Sequence, residues 1–401
     1  MTNKNIFIHH IGGRSGNMAF PSLKYFEKDF TNVLYEADVT CIEQIKDANK
    51  NSKSKTYVLP YCISNICKSA NFNINYDPYT SSLHDINPAY NLYYFSTDEY
   101  DYTIEETTKT VKKIQIETYD IDTIFSSKEL NIQPPDFLSL DTQGSEYEIL
   151  EGAQQTLKSS VVALVLEVEF HQLYKDQKLF GDISKKLSDL GFDFVKFLQI
   201  SEMSPFRGPT SLRSEGYQIC ADALFLRRLD NTINKSEELN YKQYVMLRKA
   251  AFIAIIYNQF EYGIECLNRS RNIICNHNSN NQDEPTYERF LKDLETQIEK
   301  MYKVYPKTFS STFTFDESNA RFQTSITSAR FDTLKKIPLI IPILKLGFTT
   351  MCNILMLKNT NVERILLNYG LKTQVKTIKE KRVKQTMNLI VSKLHNKLVS
   401  H

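Results

Sequence analysis

The chain contains no tryptophan, and among its 401 residues glycine and proline occur only twelve times each. So little glycine and proline excludes a collagen-like or low-complexity protein. The seven cysteines are scattered, with no Cys-x-x-Cys pair and no Cys/His quartet, which argues against a zinc module or a disulfide framework. Basic and acidic residues nearly balance, at 49 against 47, so overall charge gives no reason to expect nucleic acid as a partner.

What is present is ordinary for a globular protein. Hydrophobic residues make up 41% of the chain, and 23 tyrosines and 24 phenylalanines supply large side chains for its cores. The first residues lack the basic and apolar regions of a secretory signal, and free cysteines are typical of a reducing compartment. We therefore expect a cytoplasmic protein with two to three domains of about 150 residues each.

Short apolar runs alternate with helical patterns over residues 1–230. Unbroken Val/Ile/Leu runs are typical of strands that helices cover on both faces, as in a parallel sheet. The pattern therefore predicts an α/β domain with a doubly wound, mostly parallel sheet, and a helix-like stretch through Phe30 follows the first run. The runs cover residues 6–11, 33–35, 56–63, 137–140, 161–166, 192–198 and 221–226.

A polar, tyrosine-rich insertion is predicted at about residues 70–112. Residues 71–76 alternate polar with apolar side chains, as a half-exposed antiparallel strand does. An insertion of this kind on such a sheet is compatible with a lid over a site, and also with a tolerated surface loop.

Residues 231–401 are predicted to form a mainly helical C-terminal region with a basic tail. Helical patterns cover about 235–275 and 286–302. The apolar stretch 337–357 is as long as a membrane span, but Pro338 and Pro342 argue against a simple spanning helix. It is compatible with a buried helix, or with peripheral membrane contact through 337–401, because the lysines and arginines that follow can meet anionic lipid. Contact of the basic tail with nucleic acid is the third alternative, and we do not expect it.

A glycine-rich turn, Gly12-Gly13-Arg14-Ser15-Gly16, follows the first run. Glycines allow a backbone to approach a ligand closely and to adopt positive φ. Glu36 ends the second run about twenty residues further on, where a carboxylate can accept hydrogen bonds from ribose hydroxyls. The spacing predicts an adenosyl cofactor, either NAD or S-adenosylmethionine. Because the turn lacks the full Gly-x-Gly-x-x-Gly that a pyrophosphate requires, the pattern favours S-adenosylmethionine.

The segment from Asp136 to Ala153 carries a more specific motif. It reads Asp-x-Gln-Gly-x-Glu from Asp141 to Glu146, followed by Leu-x-Gly-Ala. This resembles the signature of the FkbM family of S-adenosylmethionine-dependent O-methyltransferases. Weaker matches to that family occur in the expected order from about residue 5 to residue 228, at 34–38, 81–83, 166–170, 191–192 and 221–227.

The resemblance implies a Rossmann-like class I methyltransferase fold with a helical C-terminal extension. It implies methyl transfer from S-adenosylmethionine to a hydroxyl of a sugar, a glycan or a glycosylated small molecule, such as a surface polysaccharide. The first motif departs from the family pattern, because His10 stands where an acid is expected and Arg14 replaces a small amide. No metal site is predicted. The implied cofactor-binding residues are His10, Gly12, Gly13, Gly16, Glu36 and Asp141, and the candidate catalytic residues at strand ends are Asp141, Glu169 and His171.

Two other functions are compatible with the residues. His10 and Arg14 in the glycine turn motivate a catalytically inactive binding or scaffold protein that keeps the fold. The spacing between the turn and Glu36 is also compatible with a nicotinamide-dependent enzyme that modifies sugars.

Overall fold

The structure, a computed structural model, describes residues 4–15, 19–95, 102–127, 130–209, 215–229, 237–273, 284–304, 360–378 and 380. The chain divides into two compact units. The first comprises Met1–Ala254 and Gln259–Tyr287, and the second comprises Ile255–Asn258 and Glu288–His401. The predicted boundary at residue 230 between a methyltransferase domain and a C-terminal region stays a prediction.

The described secondary structure alternates between strands and helices as far as residue 227 and is helical beyond it. The strands are β1 (Ile6–Ile11), β2 (Phe30–Tyr35), β3 (Lys55–Leu59), β4 (Cys62–Ile63), β5 (Lys68–Asn75), β6 (Tyr94–Phe95), β7 (Thr110–Tyr119), β8 (Phe137–Leu140), β9 (Ala163–Glu169), β10 (Phe192–Ser204) and β11 (Tyr217–Arg227). The helices are α1 (Ile42–Asn49), α2 (Ile104–Thr108), α3 (Ile121–Ser126), α4 (Glu146–Glu151), α5 (Gln154–Ser159), α6 (Phe180–Asp189), α7 (Glu237–Ile256), α8 (Phe260–Arg271), α9 (Thr286–Val304) and α10 (Thr360–Asn368).

An eight-stranded sheet forms the centre of the first unit, in the order β3-β2-β1-β8-β9-β11-β10-β6. The strands from β3 to β9 in this order run parallel, and β11 is antiparallel to both of its neighbours. This is the doubly wound, mostly parallel sheet of the predicted class I methyltransferase fold. The chain order reverses at β1, between β2 and β8, and open α/β sheets bind ligands outside the carboxyl ends of the strands at such a switch point.

The central strands are buried, which is why their sequences read as continuous apolar runs. All residues of β8 and all but one of β9 are buried. Helices cover this sheet, and the core includes Leu150 of α4, Leu157 of α5 and Leu187 of α6. The sheet is therefore rigid where its carboxyl ends form the site.

The predicted helix between the glycine turn and Phe30 is not present in the described part of that segment. Residues 19–26 are irregular, Glu27–Asp29 form one 3₁₀ turn, and Phe30 begins β2. Buried aromatic side chains hold this segment in place. Phe20 packs edge-on against Phe30 and Phe137, with ring centroids 5.3 and 5.0 Å away, and Phe26 packs 4.9 Å from Phe252 of α7. Pro21, between these anchors, has no backbone N–H to contribute to a helix.

The third predicted strand, 56–63, is divided in two. Pro60 lies between β3 and β4, and because it lacks a backbone N–H it ends the strand of the main sheet. The chain then changes sheets, and β4 joins a three-stranded sheet of order β4-β7-β5. Here β5 pairs antiparallel with β7, which confirms the half-exposed antiparallel strand predicted from the alternation at 71–76.

The predicted C-terminal helices are present where the structure describes the chain. The pattern at 235–275 corresponds to α7 and α8, and that at 286–302 to α9. Within the second unit the Tyr369 hydroxyl donates a hydrogen bond to Asp293, at 3.0 Å. The apolar stretch 337–357 and most of the basic tail lie outside the described residues, so membrane contact there stays a prediction. Over the described ranges, no helix is long and apolar enough to cross a bilayer.

Candidate active site

A cavity of about 330 Å³ opens at the carboxyl ends of the parallel strands, a size typical of small-molecule sites. Gly12 after β1, Glu36 after β2 and Asp141 after β8 line it together. β5 and the segment between β5 and β7 also line it, through Phe72 of β5 and through residues of that segment that include Tyr79, Phe95 and Tyr102. The switch point of the sheet therefore carries a site, as the topology predicts.

Gly12 allows the ends of β1 and β8 to meet. Its φ is +96°, and its N–H donates to the Tyr35 carbonyl at 3.2 Å. A Cβ at this position would lie 1.8 Å from the backbone oxygen of Asp141, which no side chain permits. The Asp141 N–H donates to the Ile11 carbonyl at 3.0 Å, so the two strand ends are joined directly.

Glu36 is buried beside this turn with its carboxylate held by the backbone. Its Oε1 accepts a hydrogen bond from the Asp38 N–H at 2.8 Å. Burial raises the pKa of Glu36, and the backbone hydrogen bonds partly offset that effect. The guanidinium of Arg14, also at the cavity wall, forms an ion pair with Asp38. Arg14 is thus tied to the wall and leaves Glu36 facing the cavity.

The loop after β8 has an unusual backbone that its own glutamate stabilises. Gln143 and Gly144 both have positive φ, +58° and +108°. Glu146 is buried, and its Oε1 accepts from the N–H and the hydroxyl of Thr142 at 2.7 and 2.9 Å. Its Oε2 accepts from the Gly144 N–H at 3.0 Å. Glu146 therefore shapes the loop from behind and does not line the cavity.

The side chain of Gln143 connects two acids across adjacent strands. Its Nε2 lies 2.9 Å from Oδ1 of Asp141 and 2.8 Å from Oε2 of Glu167, and it donates to both. Its side-chain oxygen lies 3.0 Å from the Tyr174 hydroxyl. The Ser82 hydroxyl donates to its backbone oxygen at 2.6 Å. Its backbone is held at a rare positive φ, and both polar atoms of its amide have hydrogen-bond partners. Gln143 therefore orients the side chains of Asp141 and Glu167 toward the cavity.

Glu167 and Glu169 lie two residues apart on β9, so their side chains are on one face of the strand, and both line the cavity. Burial, together with the neighbouring acids, raises the pKa of each well above its ordinary value. Glu169 is only 2% exposed, and its Oε2 has no hydrogen-bond partner among the described residues. Such an oxygen costs free energy unless a ligand supplies a donor.

Comparison with known proteins identifies a domain in the first half of the chain. Residues 11–194 match the model of the methyltransferase FkbM domain. These residues form a methyltransferase FkbM domain, which occupies just under half of the chain. The resemblance seen in the Asp141–Glu146 motif is thereby confirmed, and the family's cofactor is S-adenosylmethionine, as predicted.

No curated protein matches the sequence. Similar solved structures include a methyltransferase FkbM from Methylobacillus flagellatus, with 12% identity over 56% of this chain and 44% of that one and a TM-score of 0.30. The chain thus spans less than half the length of that protein. Magnesium protoporphyrin IX methyltransferase from Synechocystis, with bound SAM, has 9% identity over 56% and 70% of the two chains and a TM-score of 0.29. A SAM-dependent methyltransferase from Methanosarcina mazei has 11% identity over 57% and 95%, with a TM-score of 0.27.

The residues at one end of the cavity fit the family's cofactor. The glycine turn leaves backbone exposed to the cavity at Gly12, and Glu36 presents a fixed carboxylate beside it. Apolar side chains of β4, Cys62 and Ile63, line the same end. The carboxylate can accept hydrogen bonds from ribose hydroxyls, and the apolar wall can pack against a purine. Together they match the two parts of an adenosyl group.

His10 and Gly13 support the turn from behind instead of lining the cavity. His10 is buried, with Nδ1 2.6 Å from the Ser139 hydroxyl and Nε2 3.0 Å from the Gly12 carbonyl oxygen. Since a carbonyl only accepts, Nε2 carries the proton and Nδ1 accepts from Ser139. Burial lowers the pKa of His10, so the ring is neutral. A Cβ on Gly13 would lie 3.1 Å from the Tyr35 carbonyl, and Gly16 lies outside the described residues.

His171, a predicted catalytic residue, is not brought to the cavity. Its ring lies 5.9 Å from that of Tyr90 and stacks 6.3 Å from that of Tyr217. In contrast, Asp141 and Glu169, the other two candidate catalytic residues, line the cavity, and their catalytic role stays a prediction. Sequence reasoning missed Gln143 and Glu167. The motif contains Gln143, and the Glu-x-Glu alternation at the end of β9 was a signal that both glutamates share one face.

Proposed function

We propose that this chain is an S-adenosylmethionine-dependent O-methyltransferase that acts on a hydroxyl of a sugar, a glycan or a glycosylated small molecule. One observation carries the proposal: the glycine turn after β1, Glu36 after β2 and Asp141 after β8 line a single cavity. The match to a methyltransferase FkbM domain supports methyl transfer, and the acceptor assignment rests on the chemistry of the cavity wall.

The residues divide the work between the two ends of the cavity. When bound, S-adenosylmethionine supplies an electrophilic methyl group on a sulfonium. Glu36 would accept hydrogen bonds from the ribose hydroxyls, and Gly12 would allow the donor to lie against the strand ends. Asp141 is exposed at the cavity next to Gly12, which supports a role as the acceptor of the proton that the attacking hydroxyl would lose. Gln143, which donates to Oδ1 of Asp141, would hold that carboxylate in orientation.

The far end of the cavity supports a carbohydrate-like acceptor. Tyr79, Phe95 and Tyr102 present aromatic rings from the segment between β5 and β7, and such rings pack well against the C–H faces of a sugar. Glu167 and Glu169 supply acceptors for its hydroxyl protons from β9. Alternating apolar and carboxylate surfaces of this kind match a polyhydroxylated ligand.

Isothermal titration calorimetry with S-adenosylhomocysteine tests the proposal on the full chain. Removal of the carboxylate in Glu36→Ala should weaken binding by roughly 10- to 150-fold, because a hydrogen bond to a charged group contributes about 1.5–3 kcal/mol. The matched control is Glu43→Ala on α1, whose side chain is 81% exposed and pairs with Lys46 on the surface. That variant should bind with wild-type affinity.

Two outcomes would contradict the proposal. Equal affinity of Glu36→Ala and the wild type would remove Glu36 from the cofactor site. A wild-type chain that shows neither heat nor thermal stabilisation with millimolar S-adenosylhomocysteine would favour a protein that keeps the fold without transfer activity.

A further inference from the structure

The charges on the cavity wall are strongly one-sided. Six acidic residues line it, and among the described lining residues the one basic side chain is that of Arg14. Arg14 belongs to the cofactor end and pairs with Asp38. At the acceptor end the wall carries carboxyl groups without a described cation. The six acids are Glu36, Asp38, Asp77, Asp141, Glu167 and Glu169.

The neutral donors of the protein satisfy only part of this set. The amide of Gln143 donates to Asp141 and to Glu167. It leaves Oε2 of Glu169 without a partner among the described residues, although that side chain is only 2% exposed. An unpartnered, buried carboxylate oxygen at a cavity wall points to a donor on the ligand.

A positive charge on the ligand satisfies this site better than a hydroxyl does. Glu167 and Glu169 lie on one face of β9, and burial and the neighbouring acids raise the pKa of each, so their carboxyl groups resist ionisation. A cation between them favours the ionised carboxylates, whereas a hydroxyl does not. The aromatic side chains of Tyr79 and Tyr102, which line the same cavity, add a further preference, because a cation is attracted to the face of an aromatic ring.

We propose that Glu169, together with Glu167, binds a protonated amino group of the acceptor, so that the acceptor is an amine-bearing polyol such as an amino sugar. The inference rests on the proposed function and specifies its substrate class. The same wall repels phosphorylated sugars and sugar acids, because a carboxylate or phosphate would enter a cavity that already holds several acids. The methylated atom remains a hydroxyl, and the ammonium serves to fix its position.

Saturation-transfer NMR and calorimetry on the full chain, with saturating S-adenosylhomocysteine at pH 7, test this specificity. The probes are methyl glucosaminide, its N-acetyl derivative, methyl glucoside and glucuronic acid. We expect methyl glucosaminide to bind about tenfold more tightly than the N-acetyl derivative or the glucoside, as a charged hydrogen bond to a buried carboxylate implies, and glucuronic acid not to bind. Glu169→Gln should reduce the affinity for methyl glucosaminide to that for the N-acetyl derivative, and Glu167→Gln should reduce it in part.

The control variant is Glu43→Gln on α1, which should leave all affinities unchanged. Equal binding of the amine and its N-acetyl derivative, or an unaltered preference in both cavity variants, would overturn the proposal. Absence of binding by every probe would also overturn it. In each of these cases, retained binding of S-adenosylhomocysteine would leave the methyltransferase proposal standing, so the two failures can be told apart.

Discussion

The close approach at Gly12 leads to a prediction that separates backbone strain from steric conflict. Gly12 and Gly191 have similar positive φ values, +96° and +88°. A Cβ on Gly12 would lie 1.8 Å from the Asp141 oxygen, whereas a Cβ on Gly191 meets nothing within 4 Å. Gly181, in α6, also has open space around its Cβ position and no positive φ. Alanine should therefore meet neither problem at position 181, backbone strain alone at position 191, and both backbone strain and a steric conflict at position 12.

The expected magnitudes follow from these surroundings. Gly181→Ala should stabilise the protein by about 0.4–1 kcal/mol, because alanine loses less chain entropy on folding. Gly191→Ala should cost about 1–2 kcal/mol, the strain of a side chain at positive φ. Gly12→Ala carries the same strain and also forces apart the ends of β1 and β8. An overpacked site adds about 1–3 kcal/mol, so the total is roughly 2–5 kcal/mol.

Calorimetric unfolding and S-adenosylhomocysteine titration of the three variants check these values. At about 2–4 °C per kcal/mol for a unit of this size, the unfolding temperature should rise slightly for Gly181→Ala and fall increasingly for Gly191→Ala and Gly12→Ala. Ligand affinity should fall, by about tenfold or more, only in Gly12→Ala, because only there does Asp141 move. If Gly12→Ala binds as the wild type does while Gly191→Ala is destabilised as expected, the assignment of the turn to the cofactor site is refuted.

Two further predictions concern buried charge. Lys249 pairs with Asp136 at 2.8 Å with both side chains largely buried, so Lys249→Met should destabilise the protein by about 3–5 kcal/mol, and adding Asp136→Asn should restore part of the loss in urea unfolding. An unchanged urea midpoint for Lys249→Met would contradict this. Burial lowers the pKa of His9 to about 3, so below pH 6.5 the unfolded chain takes up a proton that the folded chain does not. The free energy of unfolding should therefore decrease as the pH is lowered, and His9 should account for about 2–3 kcal/mol of that decrease between pH 6.5 and 4.5. His9→Asn should show a shallower pH dependence in the same assay.

The sheet could be predicted from the sequence because its strands are buried on both faces. The sequences of β8 and β9 do not alternate between polar and apolar residues as half-exposed strands do. Their continuous apolar runs therefore predict buried parallel strands. The segment after the glycine turn could not be predicted in this way. Its aromatic residues suggest a buried helix face, but Phe20 and Phe26 pack against different partners that are far away in the sequence. Contacts of that kind override local pattern.

At the site, sequence spacing predicted which strand ends meet but not how side chains are used. Glu36 and Asp141 follow strands, so topology alone brings them to one edge. The role of His10 depends on a ring that turns inward to the Gly12 carbonyl, and the sequence holds no signal for that rotamer. Gln143 was missed because its function depends on a positive φ that glutamine rarely adopts.

The contacts around Gln143 also limit how this enzyme can be redesigned. Ser82 bonds to its backbone oxygen, and the Tyr174 hydroxyl lies within hydrogen-bond distance of both its side chain and the Thr80 carbonyl. The segment that lines the proposed acceptor site and Gln143, which donates to Asp141, are therefore connected by hydrogen bonds. Under the proposed function, grafting a foreign loop over residues 78–83 to change selectivity would also shift Asp141, so such a change would have to retain Ser82 and compensate at Tyr174.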